Sequence, residues 1–188
     1  MRAWTLSLAG LLLVATTVLA GDLASGLKVG EAVPAFEVEK CSGAVNDGRS
    51  VGDNFCYRCM LGNKPVVMIF SRKADDKLAG LVKELEAAVE KNSDKKLSSF
   101  VNLIGKDQDA LKKTAKEFGA KNKVQNVALV VPQAHENGPA EFNISSDAET
   151  TVMLYVKGEV KANYALAAGK LDAKAIKSIV ADTAKILN

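Results

Sequence analysis

The sequence predicts an α/β fold: a three-layer sandwich in which a mixed, mainly parallel sheet carries helices on both faces and an N-terminal hairpin extension. Three observations predict it. Short apolar runs at Val66–Phe70, Phe100–Ile104 and Val127–Val131 are separated by two amphipathic stretches, and strand–helix alternation of that kind builds a parallel sheet. Two β-rich stretches, Thr151–Val156 and Val160–Ala165, flank Lys157-Gly158-Glu159 and read as an antiparallel hairpin added at the end. Ahead of the regular part, a strand pattern runs into a glycine-rich, cysteine-bearing segment of hairpin or loop character.

The elements follow in order. Gly21 to Gly30 is a small, polar lead-in, expected to be mobile. Ala35-Phe36-Glu37-Val38-Glu39 alternates apolar and charged residues, as a half-buried strand does. Cys41 to Gly62 contains four glycines and all three cysteines. The run Val66–Phe70 is β-branched and uninterrupted, which suits a central strand. Asp75 or Asp76 caps the next helix, whose Leu78, Leu81, Val82, Leu85 and Val89 recur at three- and four-residue spacing. After the strand Phe100–Ile104, Asp107 or Asp109 opens a second helix. Its Leu111, Ala115 and Phe118 face inward, and Gly119 is its expected stop. Pro132 ends the third strand, and Gln133–Glu149 is irregular. Asp172 caps a last helix with Ile176, Ile179, Val180, Thr183 and Leu187 on one face.

Residues 1–20 read as a secretory signal. Arg2 supplies the positive start, Leu6–Leu19 the apolar centre and Val18-Leu19-Ala20 the small residues before cleavage. The apolar run falls short of the roughly 20 residues a membrane anchor needs. The expected mature protein, 21–188, is one domain, secreted or periplasmic, and free of the membrane after cleavage. The full chain's 25 Lys+Arg, Arg2 of the signal among them, and 22 Asp+Glu are interspersed, with few aromatics, which gives nucleic-acid binding no support. The oligomeric state is not written in the sequence.

Export would place the cysteines where disulfides persist. Cys56-Tyr57-Arg58-Cys59 is a Cys-x-x-Cys, a spacing that closes a small disulfide, exchanges thiols or holds a metal. On the exchange reading Cys56 and Cys59 are the reactive pair, Arg58 stabilises a thiolate and Cys41 serves as a third, resolving thiol. On the structural reading Cys41 bridges to Cys56 or Cys59, and a loop of that size is worth about 3 kcal/mol. Three cysteines with His135, the only histidine, would complete a zinc set, but nothing brings His135 near them. No cofactor and no metal is therefore expected. Met60 follows Cys59 where covalent haem would need histidine. Arg72 and Lys73 read as a solvated pair, with an anion contact as the alternative. Asn143-Ile144-Ser145 fits a glycosylation acceptor.

Three stretches resemble the redoxin branch of the thioredoxin-like fold, which holds the peroxiredoxins. Val29-Gly30-Glu31-Ala32-Val33-Pro34-Ala35-Phe36 is similar to the redoxin opening. Ala110–Gly119 followed by Val127–Val131 is similar to its helix-then-strand, and Thr151–Val160 to its closing hairpin. The resemblance implies a reactive cysteine just past the central strand, in peroxiredoxins within Pro-x-x-x-Thr-x-x-Cys. Here Ser71-Arg72-Lys73-Ala74-Asp75-Asp76-Lys77 holds neither cysteine nor proline. Thr150 stands where thioredoxins place their cis-proline. Peroxidase chemistry at the usual place is therefore not expected, since no thiol is there to form a sulfenic acid. What remains is thiol–disulfide exchange through the displaced Cys56–Cys59 pair, with a protein thiol or disulfide as partner. The alternative is a non-catalytic binding or scaffold domain.

Overall fold

A computed structural model describes residues 23–133 and 136–187. The expected signal, 1–20, and His135 lie outside the described residues.

Seven strands form one sheet: β1 (Val38–Ser42), β2 (Asn54–Phe55), β3 (Val66–Ser71), β4 (Ser98–Leu103), β5 (Val127–Pro132), β6 (Ala148–Val156) and β7 (Glu159–Ala167). Their order across the sheet is β2-β1-β5-β4-β3-β6-β7. The central pairings β3–β4 and β4–β5 are parallel, and β1–β2, β1–β5, β3–β6 and β6–β7 are antiparallel. Antiparallel strands were expected in an N-terminal hairpin extension and at the C-terminal end, and they flank the parallel centre on both sides, β1 pairing directly with β5. A parallel pair needs a crossover element, and among the described residues two helices, α2 (Asp76–Lys91) and α3 (Gln108–Asn122), connect neighbouring strands in that way.

Strand alternation sorts the core into two layers. Val67, Ile69, Val101 and Leu129 face α2, α3 and α4 (Ala173–Ala181) and meet Leu81, Leu85, Phe118 and Ile179. Val66, Met68, Phe100, Val130 and Tyr155 face the other way. That second layer is closed by a short helix α1 (Tyr57–Leu61), by the N-terminal segment and by a single 3-10 turn, Ala140–Phe142. Helices thus lie on both faces, unequally. Every residue of β3 is buried, which explains its unbroken apolar run.

The predicted caps are in place. Asp75 accepts from the backbone N–H of Lys77 and Leu78, Asp107 from Ala110, and Asp172 from Ala175. At the hairpin tip, Lys157 (φ 55°) and Gly158 (φ 77°) both adopt positive φ, the conformation a two-residue hairpin turn requires.

Four local expectations are corrected. The first strand begins at Val38, which pairs with Pro132; ahead of it a single backbone bond, Gln133 N–H to Glu37 O at 3.1 Å, continues the contact, and Phe36 enters the core. The cysteine-rich segment contains the expected hairpin, β1–β2, but runs on into a helix, α1, which its single turn of buried residues, Tyr57 and Leu61, did not announce. The lead-in is fastened where described. Ser25 Oγ meets Thr151 Oγ1 at 2.7 Å, Gly26 donates to Asn143 O and Asn163 to Ser25 O. Helix α3 runs through Gly119 to Asn122 and stops on Lys123 in the left-handed region. Gly119 marks a close approach to β1: a Cβ there would lie 2.1 Å from Ser42 Oγ.

Candidate functional site

Cys56 leaves β2 with an extended backbone and caps the five-residue helix α1. One turn later Cys59 returns to the same side, because residues three apart share a helix face. The two are joined in a disulfide with Cα atoms 5.2 Å apart. Cys59 is exposed and Cys56 is half-buried. Cys56 Sγ also accepts the Cys59 backbone N–H at 3.0 Å. The two cysteines therefore differ: Cys59 is an exposed residue, and the sulfur of Cys56 accepts a backbone donor.

The first of the two residues between them anchors the helix. The Tyr57 ring stacks on Phe100 at 5.0 Å between centroids and contacts Phe55 at 4.5 Å. Its hydroxyl donates to Asp47 Oδ2. Asp47 Oδ1 in turn accepts from Lys40 Nζ at 2.6 Å and from the Arg49 backbone N–H at 2.9 Å. Lys40 is 2 % exposed, and its remaining ammonium protons go to the carbonyls of Ala44 and Arg49, both at 2.9 Å. Three donors meet three acceptors, which is what keeps a buried ammonium tolerable. Burial first, and then the hydrogen bond to the Asp47 carboxylate, push the Tyr57 phenol well above its usual range, so it stays a donor.

Arg58 was expected beside a thiolate. Its hydrogen bonds instead go to the carbonyls of Val33 and Gly62, both at 3.2 Å, and its Nη2 fills the space where a side chain at Gly158 would stand. It ties α1 to the N-terminal segment and to the β6–β7 turn.

Cys41 is free and buried. It belongs to the layer under α2 and α3, whereas Phe55, Tyr57 and Leu61 belong to the opposite layer. The bridge from Cys41 to Cys56 or Cys59 is thus not made. Burial first, then the neighbouring Glu39 carboxylate, raise its thiol to about 11. A thiol so placed is a poor nucleophile at neutral pH.

At the other end of β3, the place where the resemblance puts a reactive cysteine is filled by an arginine clamp. Arg72 Nε donates to Ala148 O at 2.9 Å, and Nη2 donates to Asn137 Oδ1 at 2.7 Å and Ser145 O at 3.0 Å. Lys73 pairs with Glu149 at 2.6 Å. The expected solvated pair is corrected here: Arg72 binds backbone across the β3–β6 junction. Ser71 and Thr150, paired across that junction, present only hydroxyls. Among the described residues no three His, Cys, Asp or Glu side chains group as metal ligands would. No described helix is long and apolar enough to cross a membrane.

Sequence reasoning missed Lys40 and Asp47. The signal was present, since a period of two places Lys40 on the face of Phe36 and Val38, and a lysine on a buried face needs a carboxylate.

No family profile and no curated protein matches the chain. Solved structures do match. A candidate protein disulfide isomerase from Bacteroides thetaiotaomicron superposes with a TM-score of 0.64 at 14 % identity, covering 88 % of this chain and 94 % of that one. A candidate thiol:disulfide interchange protein of DsbE type from Chlorobium tepidum gives 0.60 at 13 %, covering 86 % and 99 %. Peroxidoxin BcpB from Mycobacterium tuberculosis gives 0.58 at 13 %, covering 85 % and 98 %. The fold is thioredoxin-like.

Proposed function

We propose that this thioredoxin-fold protein is an exported thiol–disulfide exchange protein that works through Cys56 and Cys59 rather than at the end of β3. The observation that carries this reading is the pairing itself: the two cysteines are bonded to each other at the surface, and Cys41 is left out. A bridge from Cys41 would have closed a loop worth about 3 kcal/mol, whereas a ring of four residues is worth only about 2 kcal/mol in the same chain-entropy account. As a staple the observed pairing is the weaker choice, and as an exchange site it is the accessible one. Disulfide-handling proteins among the structural neighbours support the same reading.

The oxidised form accepts two electrons. A substrate thiolate attacks the exposed sulfur of Cys59, the Cys56–Cys59 bond breaks, and Cys56 leaves as a thiolate beside the Cys59 N–H. A second substrate thiol, once deprotonated, attacks the mixed disulfide at the substrate sulfur. The substrate is left as a disulfide, and Cys59 departs as a thiolate. The two substrate protons end on Cys56 and Cys59. Run in reverse, the dithiol form reduces a substrate disulfide, and an external dithiol must then restore it. Export, on this reading, is what keeps the pair in an oxidising compartment.

The test is the reduction potential of the pair together with the activity of Cys59→Ser. A potential above about −300 mV, with loss of disulfide reduction in the variant, is expected. A potential well below that value, with no exchange activity in the native protein, would establish a scaffold domain instead.

A further inference from the structure

Beside the disulfide, at the end of the sheet opposite Arg72, lies a groove of about 330 Å³. Helix α1 and its exit form one wall with Met60, Leu61 and Lys64, and the end of α2 and the start of β4 form another with Val89, Lys96 and Leu97. Met60 follows Cys59 directly and donates its backbone N–H to Cys56 O one turn back, so the helix that carries the disulfide also supplies this wall, although neither cysteine lines the groove.

We propose that this groove receives an acidic, extended segment of the polypeptide whose cysteines are exchanged at Cys56–Cys59. The inference rests on the exchange reading above and adds a substrate class to it. Its basis is charge and lining together. Lys64 and Lys96 are both exposed, and neither joins an ion pair among the described residues. The one carboxylate of the lining, Asp47, is already taken by Lys40, Tyr57 and the Arg49 N–H. Glu86, just outside, is spent on the backbone of Gln125, Asn126 and Val127. The groove therefore presents two unanswered cations above an apolar floor. Leu61 and Leu97 are fixed in that floor, and Met60, half-buried and unbranched, adapts to varied side chains. A carboxylate a few residues from the substrate cysteine would reach Lys64 or Lys96 while the cysteine meets Cys59. The volume is at the small end for a binding pocket, which suits a short stretch of chain.

Two peptides test this against the full mature protein. Both carry the same Cys-x-x-x-Cys dithiol, flanked by Glu-Glu in one and Lys-Lys in the other. The oxidised protein is expected to oxidise the acidic peptide with a KM about fivefold lower at low salt, the gap closing near 0.5 M salt. Lys64→Glu with Lys96→Glu should invert the preference, and Lys64→Met with Lys96→Met should abolish it. Equal KM values for the two peptides, or a preference untouched by the substitutions, would overturn the proposal. Two controls separate it from the exchange reading. Turnover of an uncharged dithiol, dithiothreitol, reports exchange alone. Equilibrium binding of the acidic peptide with both cysteines replaced by serine, read by fluorescence anisotropy, reports the groove alone. No turnover with salt-sensitive binding would sink the exchange reading and keep the groove. Turnover without binding would do the reverse.

Discussion

Cys41 and Cys59 are the same residue type under opposite conditions. Cys59 is exposed at the surface and bonded to Cys56, while Cys41 is buried and free, 3.6 Å from the Glu39 carbonyl it can donate to. That contrast has a pH consequence with a definite sign. The Cys41 thiol is raised in the folded protein from 9.0 to about 11, so the native state holds its proton more tightly than the unfolded chain does. The stability this contributes is present in full below about pH 9 and is lost as the pH rises towards 11. Urea unfolding of the disulfide-intact protein should show it. The stability gap between the native protein and Cys41→Ala should narrow across that window, and a gap constant from pH 8 to 11 would show that the thiol is not desolvated. Reactivity at neutral pH should follow the same division. After mild reduction two thiols should alkylate quickly, and the third only on unfolding. The sequence supplied the three cysteines and their spacing, but not which two would bond. Pairing depends on Cys41 facing the layer opposite Tyr57, and a one-residue change in the register of β1 would have turned it the other way.

Elements were legible in proportion to the apolar surface they bury. Strand β3 is buried at all six positions and α2 at Leu78, Leu81, Val82 and Leu85, so their patterns are long enough to read. Helix α1 buries only Tyr57 and Leu61, and one turn carries no periodicity. Its position comes from tertiary partners instead: Phe100 beneath it, Asp47 beside it and the Val33 carbonyl at Arg58. The same principle explains Gly119, which reads as a helix stop because glycine commonly ends helices. In the structure it is the point where α3 touches β1, with Ser42 Oγ 2.1 Å and Ser42 Cβ 2.7 Å from an added Cβ and Leu129 a third neighbour at 3.1 Å. Gly119→Ala should therefore destabilise by about 1–3 kcal/mol through overpacking, outweighing the roughly 1 kcal/mol that alanine gains in a helix interior. Ser42→Gly in the same chain should return part of that loss, because it removes both of the nearest atoms. Chemical denaturation of the two single variants and the double variant measures the coupling. Additive losses would mean that α3 shifts away from β1 instead of pressing on Ser42.

At the scale of the whole molecule the two ends of the sheet hold different things. The C-terminal end of β3, where open α/β sheets usually bind ligands, is tied shut by Arg72 across Ala148, Asn137 and Ser145. The opposite end holds the disulfide, and the network of Lys40, Asp47 and Tyr57 anchors its helix. The absence of a cysteine just past β3 was legible, because it is a matter of sequence alone. The Arg72 clamp was not, because its partners lie more than sixty residues away. On this arrangement the disulfide should be dispensable for folding. The cores on the two faces are contiguous without it, and α1 is seated through Tyr57 and Leu61 rather than through sulfur. Replacing both Cys56 and Cys59 by serine should leave the fold intact and cost at most about 2 kcal/mol, the chain-entropy value of so small a ring. For a chain of this size that corresponds to a fall in Tm of about 4–8 °C. Calorimetry of the double variant, and of the native protein with and without reductant, should agree within that range, with a single cooperative transition in each case. A double variant that no longer unfolds cooperatively, or a native protein that unfolds on reduction at 25 °C, would mean that the disulfide holds the domain together. A pair on which folding depends could not be opened and closed in each turnover, and the exchange reading would then give way to the scaffold.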